Sequence, residues 1–269
     1  MTFEEYRAIE AVNASAIVAG MKSMKHMHMT MTGESKPATP AMRWGTLVHS
    51  MVLEPDLSAS KLSIFPGKTR RGKEWDAFCE SHDEQWIVKE EEYAKLYGIK
   101  KAVMLVDEAR EIIENTHHEL TVTWDENGHD CKARLDGYSA KRGILELKTT
   151  GQIEPRRFMR TAADLAYHVR MGWYHRGIEI KEGISVPVTM VTVEADEPHD
   201  VVIYHLPPSV TEKSKTKAIE TANKYWDCCA AEHWPGVADG VVLDYELPHW
   251  ADAYAVDDIP EEEMDGSEL

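Results

Sequence analysis

The strongest constraint on the fold lies between residues 132 and 148. Lys-Ala-Arg-Leu-Asp-Gly-Tyr runs to Tyr138, the stretch Ser139–Gly143 breaks the pattern, and Ile-Leu-Glu-Leu-Lys follows to Lys148. Two short alternating runs joined by a glycine-ended break read as an antiparallel hairpin. With 139–143 as the loop, Tyr138 faces Ile144 and Asp136 faces Glu146. Directly opposed side chains have Cβ atoms about 5 Å apart, where like charges repel. Arg134 would face Lys148, a second like-charge pair, while Leu135 and Leu147 would share the core-facing side. The strand period of two places Glu146 and Lys148 on one side together. A cation held between Asp136 and Glu146 removes the repulsion, and hard oxygen donors with few His or Cys nearby favour Mg2+, with Mn2+ second. A lysine beside such an ion can orient water or stabilise charge building on a phosphate. The same pattern is also that of a solvated charged hairpin, and the residues alone leave both readings open.

Around this hairpin the chain alternates helical and extended patterns. Residues 1–30 read as helical, with Asn13 or Ser15 as the cap before Ala16–Met24. Thr30–Pro40 is a polar loop, and a helix runs from about Ala41 to Leu53, ending at Glu54-Pro55. Residues 56–72 look irregular and basic, with Lys68, Arg70, Arg71 and Lys73 clustered at their end. Residues 74–118 look mainly helical, with Trp75, Phe78, Ile99, Val103 and Val106 as core candidates. Strands are expected at Glu119–Trp124, Asp130–Tyr138 and Gly143–Lys148, the first two joined by a turn at Asp125–Gly128. A helix from Pro155 to Arg176 would end at Gly177. Strands at Val186–Glu194 and Val201–Leu206 and a helix at Ser209–Ala231 complete the order. This predicts an α/β or α+β core: a mixed central sheet flanked by helices, carrying a helical N-terminal region. We read residues 1–251 as one domain, mainly helical to 118 and sheet-centred from 119, followed by an acidic disordered tail, 252–269.

That tail resolves an apparent conflict. The net charge of −17 argues against nucleic-acid binding, since phosphate contacts need Lys and Arg. Eight acidic residues and no base lie from Asp252 onward, so nearly half of that charge sits in the tail. Net charge governs solubility and steering, not what one cleft binds. The cysteines, Cys79, Cys131, Cys228 and Cys229, form no CxxC pair and suggest neither a zinc ribbon nor a disulfide framework. The acidic N-terminus and the lack of a long apolar run point away from secretion and membranes and toward the cytoplasm.

Asp136…Glu146-Leu-Lys148 is similar to the signature of the PD-(D/E)XK nuclease superfamily. Gly45-Thr-Leu-Val-His49-Ser-Met-Val-Leu-Glu54-Pro55 resembles the N-terminal histidine helix of RecB-like and RecE-like nucleases. Glu119-Leu-Thr-Val-Thr-Trp124, Trp234-Pro-Gly236 and Leu247-Pro-His-Trp250 resemble further parts of the RecE-type (exonuclease VIII) group of phage and prophage exonucleases. The resemblance implies a restriction-endonuclease-like fold and a 5′→3′ exonuclease on duplex DNA ends. It implies a 3′ single strand left for an annealing protein of the RecT type, and a homo-oligomeric ring, a tetramer or alternatively a trimer. Carried over by position, Asp136, Glu146, the Leu147 carbonyl and His49 are metal ligands. Glu119 is an outer or second-metal carboxylate, and Lys148 is the catalytic lysine. One position departs from the pattern: in Tyr167-His-Val-Arg170-Met-Gly-Trp-Tyr174, Arg170 stands where the family has Gln. Arg170 cannot accept a hydrogen bond but can clamp a phosphate; Tyr174 shares its helix face. Arg156, Arg157 and Arg160, with Arg70 and Arg71, are the further DNA-binding candidates. The alternatives are another PD-(D/E)XK DNA nuclease, an endonuclease or single-strand-specific repair enzyme, or a non-catalytic DNA-binding relative.

Overall fold

The computed structural model describes residues 1–33 and 39–247. The acidic tail, the Pro-His-Trp of the terminal motif and the centre of the loop at 34–38 lie outside the described residues. The described chain begins α1 (Phe3–Ala8), β1 (Val12–Asn13), α2 (Ala14–Gly20), α3 (Met24–Thr32), α4 (Pro40–Leu53) and α5 (Pro55–Lys61). Then follow β2 (Ser63–Phe65), α6 (Lys73–Ser81), β3 (Ile87–Lys89), α7 (Glu90–Leu105) and α8 (Asp107–Glu114). The sheet core is β4 (His117–Glu126), β5 (His129–Ser139) and β6 (Gly143–Thr150). It continues through α9 (Pro155–Asp164), α10 (Tyr167–Glu182), β7 (Val188–Glu194), β8 (Val201–Leu206) and α11 (Pro208–Ala230). Asn13 does cap its helix, its side chain accepting from the Ser15 and Ala16 N–H groups.

The central sheet is mixed. β5 pairs antiparallel with β4 and β6, β6 pairs parallel with β7, and β7 antiparallel with β8. Asn127 and Gly128, both at positive φ, form the tight turn between β4 and β5, as a two-residue type I′ hairpin demands. On one face, Ile17, Val169, Trp173, Ile178 and Ala222 from α2, α10 and α11 cover Val122, Ala133, Leu135 and Ile144. On the other, Leu47 and Val52 of α4 and Ile99 and Val103 of α7 cover Leu145, Leu147, Val191 and Val193. Both faces of β6 and β7 are therefore buried over most of their length. No helix among the described residues is long and apolar enough to cross a membrane.

Five sequence expectations need correction. Residues 56–72 are not irregular throughout: they contain α5 and β2, and β2 pairs parallel with β3 in a small second sheet. The N-terminal 30 residues hold β1, which pairs parallel with β5 through Val12–Cys131 and Asn13–Lys132. The helix expected from 155 to 176 is two helices, interrupted at Ala166, which adopts a left-handed φ of 52°. The second does not stop at Gly177. A Cβ there would lie 2.7 Å from the Trp124 ring, so this glycine serves packing, and the helix ends at left-handed Gly183. Finally, Leu135 and Leu147 do not share a face; they belong to opposite core layers. The reason lies in how β5 and β6 part, which also builds the site.

Candidate metal centre

The register at the hairpin's closed end matches the sequence reading: Tyr138 pairs with Ile144 and Gly137 with Leu145. There the ladder stops. Asp136 and Glu146 do not pair through their backbones; instead the Leu147 N–H donates to Asp136 Oδ2 at 2.7 Å. β5 is held on its other edge by β4, so β6 and β1 share the remaining edge. Trp173, fully buried, donates its indole N–H to the Lys132 carbonyl at 3.1 Å, where β5 runs beside β1. Opposite Asp136, Glu119 has a left-handed φ of 50° and interrupts the β4–β5 ladder. A non-glycine residue in that region costs of order 1–3 kcal/mol and clusters at functional sites. The interruption breaks the alternation of β5 between Leu135 and Tyr138, which both face the first core layer.

The parting of the strands gathers the expected residues. His49 Nε2 lies 2.9 Å from the Leu147 carbonyl, and its Nδ1 is 3.5 Å from Asp136 Oδ1. Ligand atoms of His49, Glu119 and Asp136 all lie within 4.8 Å of one another. Glu146, 2% exposed, is reached by Lys148 Nζ at 2.5 Å, and Lys148 also donates to the Leu147 carbonyl at 3.2 Å. The Lys148 ammonium lies 5.5 Å from the centre of the Tyr167 ring.

Burial, with the Asp136 charge adding to it, raises the Glu146 carboxyl above its ordinary range, and Lys148 and Arg170 oppose that rise. Burial works against the Lys148 charge as well, but the Glu146 and Asp136 carboxylates outweigh it and keep the ammonium protonated. An ammonium beside two carboxylates retains its proton even with Arg170 nearby, so Lys148 is a charged donor here rather than a base.

Arg170 has turned inward. Tyr174, Glu146 and Asp136 lie near enough to hold its guanidinium firmly charged against the cost of burial. Its Nε is buried without a protein acceptor. Tyr174 is buried beside it and its phenol is raised by that burial. Arg156, Arg157 and Arg160 are exposed on α9, directly after β6, and form no ion pair among the described residues. Arg71 is exposed, whereas Arg70 is committed to a two-pronged contact with Glu92 and to the Ile87 carbonyl.

Arg134 is the partner that strand alternation misplaced. It does not face Lys148 but bonds Glu119 Oε2 through Nε at 2.7 Å. The Asn127-Gly128 turn fixes this: Thr121 pairs with Arg134, which makes Glu119 its diagonal neighbour.

The donor set suits a hard divalent cation. Asp136, Glu146 and the Leu147 carbonyl supply oxygen and His49 one nitrogen, the chemistry expected for Mg2+ or Mn2+. Glu146 Oε2 supports the fit, being a buried acceptor without any hydrogen-bond partner. Such an atom is costly unless something else occupies its lone pairs. A second group of His and Glu, His175, Glu179 and Glu212, lies on α10 and α11. There Lys215 already reaches both carboxylates at 2.8 Å.

Residues 13–243 match the model of a family described as a PDDEXK-like domain of unknown function, DUF3799. The chain belongs to this family. A provisionally named exonuclease from Eubacterium rectale has a similar structure, with a TM-score of 0.67 at 13% identity; the match covers 95% of this chain and 98% of that one. A phage-related exonuclease from Haemophilus somnus 129PT is 15% identical over 82% of this chain and 96% of its own, with a TM-score of 0.37. The first likeness establishes the fold, a mixed sheet between helices as in PD-(D/E)XK nucleases; the second is too weak to add to it. No curated protein matches the chain.

Proposed function

We propose that the chain is a Mg2+-dependent exodeoxyribonuclease that degrades linear duplex DNA. The observation that carries this reading is the convergence of Asp136, Glu146, Lys148, His49 and the Leu147 carbonyl where β5 and β6 part. In this reading His49, Asp136, Glu146 and the Leu147 carbonyl hold the ion. When bound, the ion supplies Lewis acidity, polarising a phosphoryl oxygen and making water easier to deprotonate.

The chain's own groups do the rest. Lys148, kept protonated by its two carboxylates, donates to the attacking water or to a phosphate oxygen as negative charge builds. Arg170, whose buried Nε–H has no protein acceptor, clamps a phosphate oxygen. Tyr174 is buried beside the guanidinium and confines it, and Tyr167 shields the Lys148 ammonium from bulk water. The exposed row Arg156, Arg157 and Arg160 carries the duplex backbone toward the centre.

Exonuclease rather than endonuclease action is supported by the resemblance of Gly45–Pro55 and Glu119–Trp124 to RecE-type enzymes, and by the name given to the Eubacterium rectale neighbour. The same reading includes 5′→3′ polarity and a 3′ single strand handed to a RecT-type annealing protein in the cytoplasm. It also includes a ring of chains closed around the DNA, a tetramer or a trimer. The experiment is a panel of linear duplex, covalently closed circle and single strand, each with Mg2+. Loss of the linear duplex alone is expected; cutting of the closed circle favours an endonuclease on the same fold.

A further inference from the structure

Three carboxylates converge on the centre, and cations of the chain lie directly against two of them. Lys148 lies against Glu146 at 2.5 Å. A third cation, Arg170, is buried nearby with its Nε unpartnered, and its charge acts on Glu146 and Asp136. Arg134 lies against Glu119 at 2.7 Å. Arg134 is not a loose surface arginine: its side chain is 14% exposed. It also donates to Thr121 Oγ1 at 3.3 Å and to the Met1 carbonyl at 3.2 Å, with the Phe3 ring centre 5.9 Å from its guanidinium. Glu119 meanwhile lies close enough to His49 and Asp136 to help hold an ion of its own.

We propose that Arg134 stands in the place of a second divalent cation, so that the centre takes one ion and Glu119 stays outside its coordination. This rests on the metal-dependent reading of the site above. Two-ion nuclease centres place their ions roughly 3.5–4 Å apart and need enough carboxylate charge to hold both. Here the three carboxylates are matched by three cations before any ion arrives, and the scissile phosphate adds one negative charge. One divalent ion is the most that this balance accepts without strong repulsion. A guanidinium stays charged throughout the working pH range, so the second position is filled permanently rather than in competition with Mg2+. Arg134 is therefore a positioning residue: it turns Glu119 away from the ion and fixes the number of ions bound. Its braces, Met1 and Phe3, lie before the family-matched region that begins at residue 13.

The test is Mn2+ titration of the full chain without DNA, counting bound ions by electron paramagnetic resonance of free Mn2+ and by calorimetry. The wild type is expected to bind one Mn2+ per chain, Arg134→Met two, and the double variant Arg134→Met/Glu119→Gln one again. Arg134→Lys, which keeps the charge, should remain at one. Glu119→Gln alone should leave one ion, its affinity changed by less than about threefold. Two ions on the wild type, or loss of its single ion in Glu119→Gln, overturns the proposal even if Arg134→Met does not fold. A folded Arg134→Met that still binds one ion also overturns it. A wild type that binds no Mn2+ overturns the metal-centre reading itself.

Discussion

Asp136→Asn separates the charge of the centre from its architecture. Asp136 Oδ2 accepts the Leu147 N–H at 2.7 Å, the contact that replaces the missing β5–β6 ladder. An asparagine oxygen can keep that bond while removing the charge that faces Glu146 and Glu119. In EDTA the variant should therefore melt within a few degrees of the wild type, or above it. Asp136→Ala differs: it strands a buried N–H, at a cost of about 1–3 kcal/mol, offset by the relieved repulsion. Saturating metal is where wild type and Asp136→Asn part. At an ion concentration 100 times the dissociation constant, binding stabilises the folded chain by about 2.7 kcal/mol. For a domain of this size that corresponds to roughly 5–10 °C, at about 2–4 °C per kcal/mol. The assay is a pair of thermal melts, in EDTA and in excess Mg2+, read by circular dichroism. The wild type should gain those degrees, and Asp136→Asn should gain almost none and cut no DNA. A variant that keeps the full Mg2+ shift, or that loses much stability in EDTA, would refute this account of Asp136.

Other outcomes follow from the same geometry. Lys148→Met should abolish turnover while keeping Mn2+ affinity within about tenfold, because the ammonium acts on substrate rather than on the ion; single-turnover cleavage beside a Mn2+ titration checks both. Arg170→Gln and Arg170→Ala should each weaken duplex binding and flatten its salt dependence by about one phosphate contact; an Arg170→Gln variant faster than wild type would show that the arginine is a tolerated defect. His175 is held below its ordinary value by burial, and the Lys215 charge adds to this. The unfolded chain therefore takes up this proton first as pH falls from about 6.5, so stability contributed by neutral His175 is present above that pH and is lost as pH falls through the lower folded value. Urea midpoints at pH 7.5 and pH 5 should differ less in His175→Gln than in wild type, and an equal difference would count against the assignment.

The parts of the site that a sequence makes legible are those fixed by local rules. The turn at 139–143 sets the register of Tyr138 and Ile144, and helical spacing brings Tyr167, Arg170 and Tyr174 to one face. His49 is legible only through resemblance, since nothing in a helix of mixed polarity says that one histidine will meet a carbonyl 98 positions away. What stayed hidden depends on departures from regularity. Alternation paired Arg134 with Lys148 because it assumes that two strands stay together, and here they separate at Asp136. The left-handed Glu119 that accompanies the separation has no marker in its residue type, as Asn or Gly would have given. The strands β1, β2 and β3 span only two or three residues each, too short for a period-two pattern to register. Gly177 looked like a helix end because glycine usually is one there, whereas tertiary packing against Trp124 required its missing Cβ.

In the proposed reaction Asp136, Glu146 and Lys148 hydrolyse DNA from duplex ends with a divalent cation. Its most direct test is release of labelled nucleotide from a linear duplex carrying distinct labels at its 5′ and 3′ ends. The measurement uses wild type and Asp136→Asn, each in Mg2+ and in EDTA. The account predicts early release of the 5′ label by wild type in Mg2+, with the 3′ label retained in a shortened duplex bearing a single-stranded tail, and no release in the other three conditions. Release that persists in EDTA or in Asp136→Asn would contradict it, as would an intact duplex in every tube.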